Sequence, residues 1–211
     1  MKRKLVLLIA YCAAVLSGCA IGNTHRYHDT LADINFSGSI TIAVATHDQR
    51  EYVLSGVKEP DFVGLSRGGF GNPFNINTES GKQLAEDMTL SIANSLGKKG
   101  FKVVPVLVPH SDQRQAVVGK LKGAGGERLL IFTLSEWKSD TYMNTALLYD
   151  IKAEVLNKEG TTLAQKSLNG KDDLGGSFMN PPQHAKEAVP VAFKEKIEKL
   201  LKSPEIEAAL R

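Results

Sequence analysis

RLLIFTLSE, residues 128–136, decides the architecture. Leu129-Leu130-Ile131-Phe132 is apolar without a break, so both faces of the strand it predicts must be covered, as in a sheet packed by helices on either side. Downstream the pattern changes. Leu147, Tyr149, Ile151, Ala153 and Val155 alternate with Leu148, Asp150, Lys152 and Glu154, the period of a strand with one wet face. Asn157-Lys158-Glu159-Gly160 then supplies a turn, and Thr161 to Leu168 the antiparallel return.

Upstream, Phe101 to Val108 reads as an apolar strand, placed by Pro105 at an edge or irregular position. A helix from about Ser111 to Lys122, ended by Gly123-Ala124-Gly125-Gly126, joins it to the central run. The clearest helix precedes that strand. Leu84, Met88, Ile92 and Leu96 stack at intervals of four, Ala85 and Ala93 widen the stripe, Thr78 or Ser80 can cap its start, and Gly100 suits a left-handed stop. The domain opens near Ser39, where Ile40, Ile42 and Val44 alternate with Thr41, Ala43 and Ala45. Gln49 to Ser55 reads as a second, poorer strand and Asp61 to Ser66 as a short third. At the other end a helix begins after Pro181-Pro182 and buries Ala185, Val189, Ala192 or Phe193, Ile197 and Leu200, and Ser203-Pro204 opens a last short one. The predicted fold class is α/β (α+β mixed), a single mixed β-sheet backed by helices in the order β(ββ)αβαβββα, with residues 38–211 as one domain. Short crossovers make the early strands parallel and right-handed, and the late hairpins make the last ones antiparallel.

The start of the chain speaks of location. Met1-Lys2-Arg3-Lys4 is basic and Leu5 to Leu16 apolar, too short for a span, which needs roughly 20 apolar residues, and suited to a signal peptide. Leu16-Ser17-Gly18-Cys19 resembles the bacterial lipobox. The resemblance implies cleavage between Gly18 and Cys19, a diacylglyceryl group on the Cys19 sulfur and an amide-linked acyl chain such as palmitate. Ala20, rather than Asp, at the next position implies sorting to the outer membrane, with the domain facing the periplasm. Residues 1–18 are then the signal peptide and 19–37, polar and without a clear period, a lipidated tether of roughly 60 Å full reach at about 3.3–3.6 Å per residue. Cleavage removes three basic residues and no acidic ones, leaving 23 Lys and Arg against 23 Asp and Glu. A balanced charge gives no case for nucleic acid, whose binding rests on phosphate neutralisation. Of the two cysteines, Cys12 leaves with the signal and Cys19 carries lipid, so no disulfide is expected.

Ile40 to His47, Gly64-Leu65-Ser66-Arg67 and Leu96-Gly97-Lys98-Lys99-Gly100-Phe101-Lys102-Val103-Val104 resemble the YajG-like lipoproteins. The element order is also similar to the amino-terminal domain of TolB and to periplasmic activator lipoproteins of peptidoglycan synthases. The resemblance covers most of residues 38–202 as architecture, the Gly-Phe-Asn-Pro insertion from Gly68 to Asn77 departs from the general pattern, and no catalytic residue is carried over. It implies a periplasmic module that works by binding, or a regulator or subunit of a secretion, transport or peptidoglycan-synthesis complex.

Gly64-Leu65-Ser66-Arg67-Gly68 matches the letters of the hydrolase elbow, and Asp172 or Asp173 and His184 follow in triad order. The elbow, however, requires a sharp turn at the serine leading at once into a helix. Here Arg67-Gly68-Gly69-Phe70-Gly71-Asn72-Pro73 follows, and no helix can start for about ten residues, so no catalytic residue is assigned and a glycine-rich connector is expected. Gly69-Phe70-Gly71-Asn72-Pro73-Phe74 lacks the third glycine of a dinucleotide loop, and Ser80-Gly81-Lys82-Gln83 lacks the Walker spacing and its Ser/Thr, so no nucleotide is expected. His25, His28 and Asp29 could ligate a metal only if held together, and a flexible leader does not hold them. No metal and no cofactor are expected.

Two stretches stand out. Gly68-Gly69-Phe70-Gly71-Asn72-Pro73-Phe74 and Gly175-Gly176-Ser177-Phe178-Met179-Asn180-Pro181 each join paired glycines, Phe and Asn-Pro. Either the phenylalanines fold back as plugs on the core or they stand out as contacts. Phe70, Phe74, Phe178 and Met179, with a further cluster at Trp137, Tyr142 and Met143, are the candidate partner-binding residues, the partner being an envelope protein.

Overall fold

The central run lies in the middle of the sheet. The computed structural model describes residues 23–211. The expected signal peptide, the expected cleavage between Gly18 and Cys19 and the expected acylation of Cys19 fall on residues outside those described. The described residues begin with β1 (Thr24–His25), β2 (Thr41–Asp48), the single turn α1 (Glu51–Leu54), β3 (Phe62–Arg67), β4 (Pro73–Thr78) and α2 (Leu84–Gly97). They continue with β5 (Lys102–Pro105), α3 (Arg114–Gly123), β6 (Arg128–Thr141), β7 (Asn144–Asn157), β8 (Thr162–Gly176), α4 (Pro181–Leu201) and α5 (Pro204–Leu210).

The eight strands among the described residues belong to one mixed sheet, curled and backed by helices. The long β6 organises it. One edge of β6 is shared: Arg128 to Leu134 pair in parallel with Ile42 to Asp48 of β2, and Ser139 to Thr141 pair in parallel with Gly64 to Ser66 of β3. The other edge carries β7 and then β8, both antiparallel. Beyond β2 lies β5, parallel, at the edge Pro105 called for. Beyond β3 lie β4, antiparallel, and β1, parallel to β4.

The expected burial of both faces holds. Leu130 and Phe132 join Ile42 and Val44 against the apolar stripes of α2, α4 and α5. Leu129 and Ile131 join Ala43 and Ala45 against Val117 and Leu121 of α3. Full burial of each large side chain contributes about 1.5–3 kcal/mol, so this run anchors both layers. Helix α2 ends at Gly97, and the turn that follows it closes at Gly100, in the left-handed region at φ 92°. Helix α4 starts where Asn180 accepts a bond from the Gln183 amide at 3.2 Å, and it buries Ala185, Val189, Ala192, Phe193, Ile197 and Leu200.

Five expectations are corrected. Residues 23–37 are not a tether along their length, because Tyr27, Ile34 and Phe36 are buried in the main core. The Tyr27 ring meets those of Trp137 and Phe193 edge-on, with centroids 6.3 and 5.3 Å away, and its hydroxyl accepts the Trp137 indole N–H at 3.0 Å. Gln49 to Ser55 is not a strand but a loop closed by α1, whose turn Arg50 fixes from below. Pro73 to Thr78, where no strand is expected, forms β4 by pairing with β3. Neither Thr78 nor Ser80 caps α2. The Ser80 hydroxyl instead donates to the buried Asp87 carboxylate, 2.8 Å from each oxygen, and Gln83 takes the cap position without a side-chain bond. Finally, β6 and β8 run on past their expected ends at Glu136 and Leu168, since charged residues such as Lys138, Asp140 and Lys171 occupy strand positions without interrupting the ladder.

Candidate functional site

The GLSRG stretch is a strand and a hairpin. Ser66 lies within β3, buried, opposite Phe74 on one side and Thr141 on the other. Gly64 is required by close approach: a Cβ there would stand 2.0 Å from the Ser139 hydroxyl oxygen and 2.8 Å from its carbonyl. Gly68 begins the hairpin turn, with its amide bonded to the Asn72 carbonyl at 2.9 Å. The would-be partners are committed elsewhere. Asp172 forms an ion pair with Lys196 and accepts the Tyr149 hydroxyl at 3.2 Å, Asp173 accepts the Gly175 amide at 2.9 Å, and His184 Nε2 donates to the Leu174 carbonyl at 3.0 Å. The geometry of a nucleophile elbow is absent from these residues.

His25 is a core histidine. It is buried, its Nε2 lies 3.0 Å from the Ser139 hydroxyl, and burial pushes its pKa down to about 4, which keeps the ring neutral. Asp29 faces solvent and pairs with Arg26 at 3.3 Å. Among the described residues no three His, Cys, Asp or Glu side chains converge as metal ligands.

A buried ionic knot went unread in the sequence, where its only signal was Asp48-Gln49-Arg50 directly after a strand. Arg50 is fully buried and grips Asp48 with two parallel bonds, Nε to Oδ1 at 2.8 Å and Nη2 to Oδ2 at 2.6 Å. Its remaining donors reach the Phe62 carbonyl at 2.5 Å, the Pro60 carbonyl at 3.1 Å and the Trp137 carbonyl at 3.4 Å. Every donor direction of the guanidinium is used, so the knot ties the end of β2 to β3 and β6. Nearby, an open cleft of about 480 Å³ lies at the carboxyl end of β2, lined by His47, Gln49, Asp112, Arg114, Lys152 and Glu154. Its charges are mutually paired: Arg114 takes Glu154 bidentately at 3.1 Å, Lys152 meets the same carboxylate at 3.0 Å and Lys120 holds Asp112 at 2.6 Å.

The candidate contact residues divide in two. Trp137 is corrected: the register shift between Leu134 and Glu136 in β6 turns it inward, onto the face of Leu130, Phe132 and Leu134, and buries it completely, between the Tyr27 and Phe193 rings. The phenylalanines do not fold back as plugs. Phe70 is 100% exposed, Phe178 84%, Met179 88% and Phe74 60%, with Tyr142 and Met143 about half exposed.

Pairing of β3 with the end of β6, and of β7 with β8, brings three tips to one end of the sheet: the β3–β4 hairpin, the β6–β7 hairpin and the β8–α4 connection. The Tyr142 hydroxyl donates to the Gly69 carbonyl at 3.4 Å, and the Ser177 amide to the Met143 carbonyl at 3.3 Å. Arg67 and Asp140 clasp behind the tips with bonds of 2.7 and 2.6 Å. Gly68 to Phe74, Tyr142 to Asn144 and Gly175 to Pro182 contain no charged residue, in a chain that is 23% charged. The three tips thus form one uncharged apolar rim. The other large apolar side chains exposed among the described residues, Leu54, Val57, Leu107, Leu163 and Val191, lie on other segments. Such a rim is unfavourable in water and suits an apolar or interfacial partner.

No family model matches the chain, and no curated protein does. Among solved structures, the fold is similar to that of a DUF330-family protein from Xanthomonas campestris, with 13% identity over 89% of this chain and 97% of that one and a TM-score of 0.55. PelC from Paraburkholderia phytofirmans, a dodecamer, aligns at 12% identity over 81% of this chain and 90% of its own, with a TM-score of 0.41. Lipoprotein GNA1162 from Neisseria meningitidis aligns at 12% over 74% and 99%, with a TM-score of 0.29. At these identities the first likeness shows a shared fold alone, and the other two fall too low to carry an argument. No helix among the described residues is long and apolar enough to cross a membrane.

Proposed function

We propose that the chain is a lipoprotein of the bacterial outer membrane, held by acyl chains on Cys19 with its domain in the periplasm, and that it works by docking rather than by catalysis. The observation that carries the docking half is the uncharged rim, which holds Phe70, Phe74, Tyr142, Met143, Phe178 and Met179 in solvent on three adjoining tips. The paired charges of the cleft beside β2 and the separate commitments of Ser66, Asp172 and His184 support the same reading over a serine hydrolase. The location half rests on Leu16-Ser17-Gly18-Cys19-Ala20 after a basic and apolar leader. Two or more acyl chains, each buried methylene contributing about 0.8 kcal/mol, hold a protein stably on a bilayer where one chain does not. In this role the protein is a binding or assembly module of the cell envelope; the alternative, a regulator or subunit of a secretion, transport or peptidoglycan-synthesis complex, is what the element-order resemblance to the amino-terminal domain of TolB and to activator lipoproteins implies.

Mass spectrometry of the amino-terminal peptide from native envelopes, with density fractionation of wild type and Cys19→Ala, tests the reading. Cys19 is expected as the acylated first residue, with the wild type in the outer-membrane fraction and the variant lost from it. An unacylated Cys19, or a leader still attached in the native protein, overturns the location. An esterase activity of the pure protein abolished by Ser66→Ala overturns the non-catalytic half.

A further inference from the structure

We infer that the apolar rim sits in the headgroup–acyl boundary of the same bilayer that carries the anchor, so that the domain is bound to the membrane at two points and has a fixed orientation on it. The inference rests on the lipid anchoring proposed above and deepens the docking half of that reading: what the rim docks on is the bilayer, in place of the envelope protein expected from the sequence.

Where the chain enters the domain carries the argument. Strand β1 pairs in parallel with β4, Thr24 opposite Asn77 and His25 opposite Thr78. Strand β4 begins at Pro73, beside the β3–β4 tip, and runs away from it. The step from Thr24 to His25 therefore also runs away from the rim, and the chain arrives at Thr24 from the rim side.

Reach sets the bound. Cys19 precedes Thr24 by five residues, which span at most about 18 Å at roughly 3.3–3.6 Å per residue. The same number of residues separates Asn77 from Asn72 at the tip, roughly 17 Å at about 3.3 Å per strand residue. The bilayer surface must lie within that radius of Thr24, and the β3–β4 tip of the rim lies within it too. No slack is available further along. The His25 carbonyl accepts the Glu79 amide at 2.8 Å, the Ala32 amide donates to the Ser95 hydroxyl at 3.0 Å, and Tyr27 and Ile34 are fully buried. A domain held this closely cannot swing freely on its acyl chains.

The composition of the rim fits the interface between headgroups and acyl chains. Aromatic and methionine side chains partition there, and the glycine, serine and asparagine around them add no charge to desolvate. The nearest charges are already satisfied, Asp140 by Arg67 and Asp173 by the Gly175 amide and the Asn144 side chain. The far end of the sheet has the opposite character: Lys158 and Glu159 occupy the β7–β8 turn, a whole β7 length, about 43 Å at roughly 3.3 Å per residue, from Asn144. A protein partner would also accept an uncharged aromatic rim. Five residues of reach, entering from the rim side, select the bilayer.

The test uses the acylated full chain. With Cys12 removed and Cys19 acylated, an introduced cysteine is the only thiol, so Phe70→Cys, Phe178→Cys and Lys158→Cys can each be labelled with an environment-sensitive dye. The protein is reconstituted in vesicles of phosphatidylethanolamine and phosphatidylglycerol, with and without brominated acyl chains. At positions 70 and 178, blue-shifted emission and quenching at least about twofold stronger than at 158 are expected, as for groups buried roughly 5–10 Å into the boundary. Flotation with the vesicles reads the anchor separately. Floated protein whose dyes at 70 and 178 stay in water, or are quenched no more than at 158, overturns the orientation alone. Protein that does not float overturns the anchoring and this inference with it. A photocrosslinker at Phe70 in intact cells is expected to yield lipid adducts, and a discrete protein adduct instead would assign the rim to a protein partner.

Discussion

Tyr27 and Phe36 lie in a polar, aperiodic segment and are buried, whereas Phe70 and Phe178 lie in glycine-rich loops and stand in water. The difference is set by what the neighbouring backbone can bond to. Between residues 25 and 38 the strap finds partners on the domain: the His25 carbonyl takes the Glu79 amide, the Asp33 amide the Glu198 carboxylate at 2.7 Å and the Gly38 amide the Lys99 carbonyl at 3.3 Å. A backbone satisfied from outside itself can lie on a core and deliver its aromatic rings there. The loops bond within themselves and to one another instead. Gly71 bonds back to Gly68 at 2.8 Å and Asn180 to the Ser177 hydroxyl at 3.1 Å, beyond the last rung of the sheet, where no helix covers them.

The largest expected effect breaks the strap's side of this contrast. Tyr27→Ala removes a ring packed edge-on against Trp137 and Phe193 and leaves the Trp137 indole N–H without its partner. A loss of about 3–5 kcal/mol is expected from urea unfolding, the range for emptying an aromatic site. That is a large share of the roughly 5–15 kcal/mol of a typical domain. A loss under about 1 kcal/mol would mean that residues 23–37 behave as a tether after all, since exposed positions give changes of that order or less.

The strap also carries an acid sensitivity. In the fold burial lowers the His25 pKa to about 4, with Lys186 acting in the same direction, whereas an unfolded histidine titrates near 6.5. Between those values the unfolded chain binds a proton that the folded chain refuses, so this contribution is fully present above about pH 6.5 and is lost as pH falls towards 4. The integrated loss is on the order of 3 kcal/mol. Chemical unfolding at pH 7, 5 and 4 checks it against His25→Gln, in which the decline over that interval should be shallower by about this amount. Equal slopes would show that His25 is not the group responsible. Since its Nε2 faces Ser139 of β6, protonation acts where β1 docks on the sheet.

The legible parts of the molecule are those where one physical requirement repeats. Ile42 and Val44, the stripe from Leu84 to Leu96 and the run Leu129 to Phe132 each declare a period or an unbroken apolar stretch, and each sits where that pattern demands. Where structure depends on a distant partner, the letters mislead. Pro73-Phe74-Asn75-Ile76-Asn77-Thr78 reads as loop chemistry and becomes a strand only because β3 and β1 flank it. Tyr52 and Val53 read as strand formers but sit in a single turn held by the Asp48–Arg50 pair. Trp137, between Glu136 and Lys138, reads as surface until the register shift between Leu134 and Glu136 in β6 is known. The rim was half legible. Composition picked out its side chains, but their meeting follows from strand order, which no local pattern contains.

The smallest expected effect on stability sharpens the other side of the contrast. Phe70→Ser with Phe178→Ser removes two rings that touch water, at 100% and 84% exposure, so the free energy of unfolding should stay within about 0.5 kcal/mol of wild type. Had the rings been plugs, each substitution would cost several times as much, because buried aromatic sites lose about 3–5 kcal/mol when emptied. Urea unfolding of the double variant beside Tyr27→Ala therefore compares the two kinds of aromatic directly. A drop above about 1 kcal/mol would return Phe70 or Phe178 to the core, whereas an unchanged midpoint keeps them as side chains whose worth lies in what they meet.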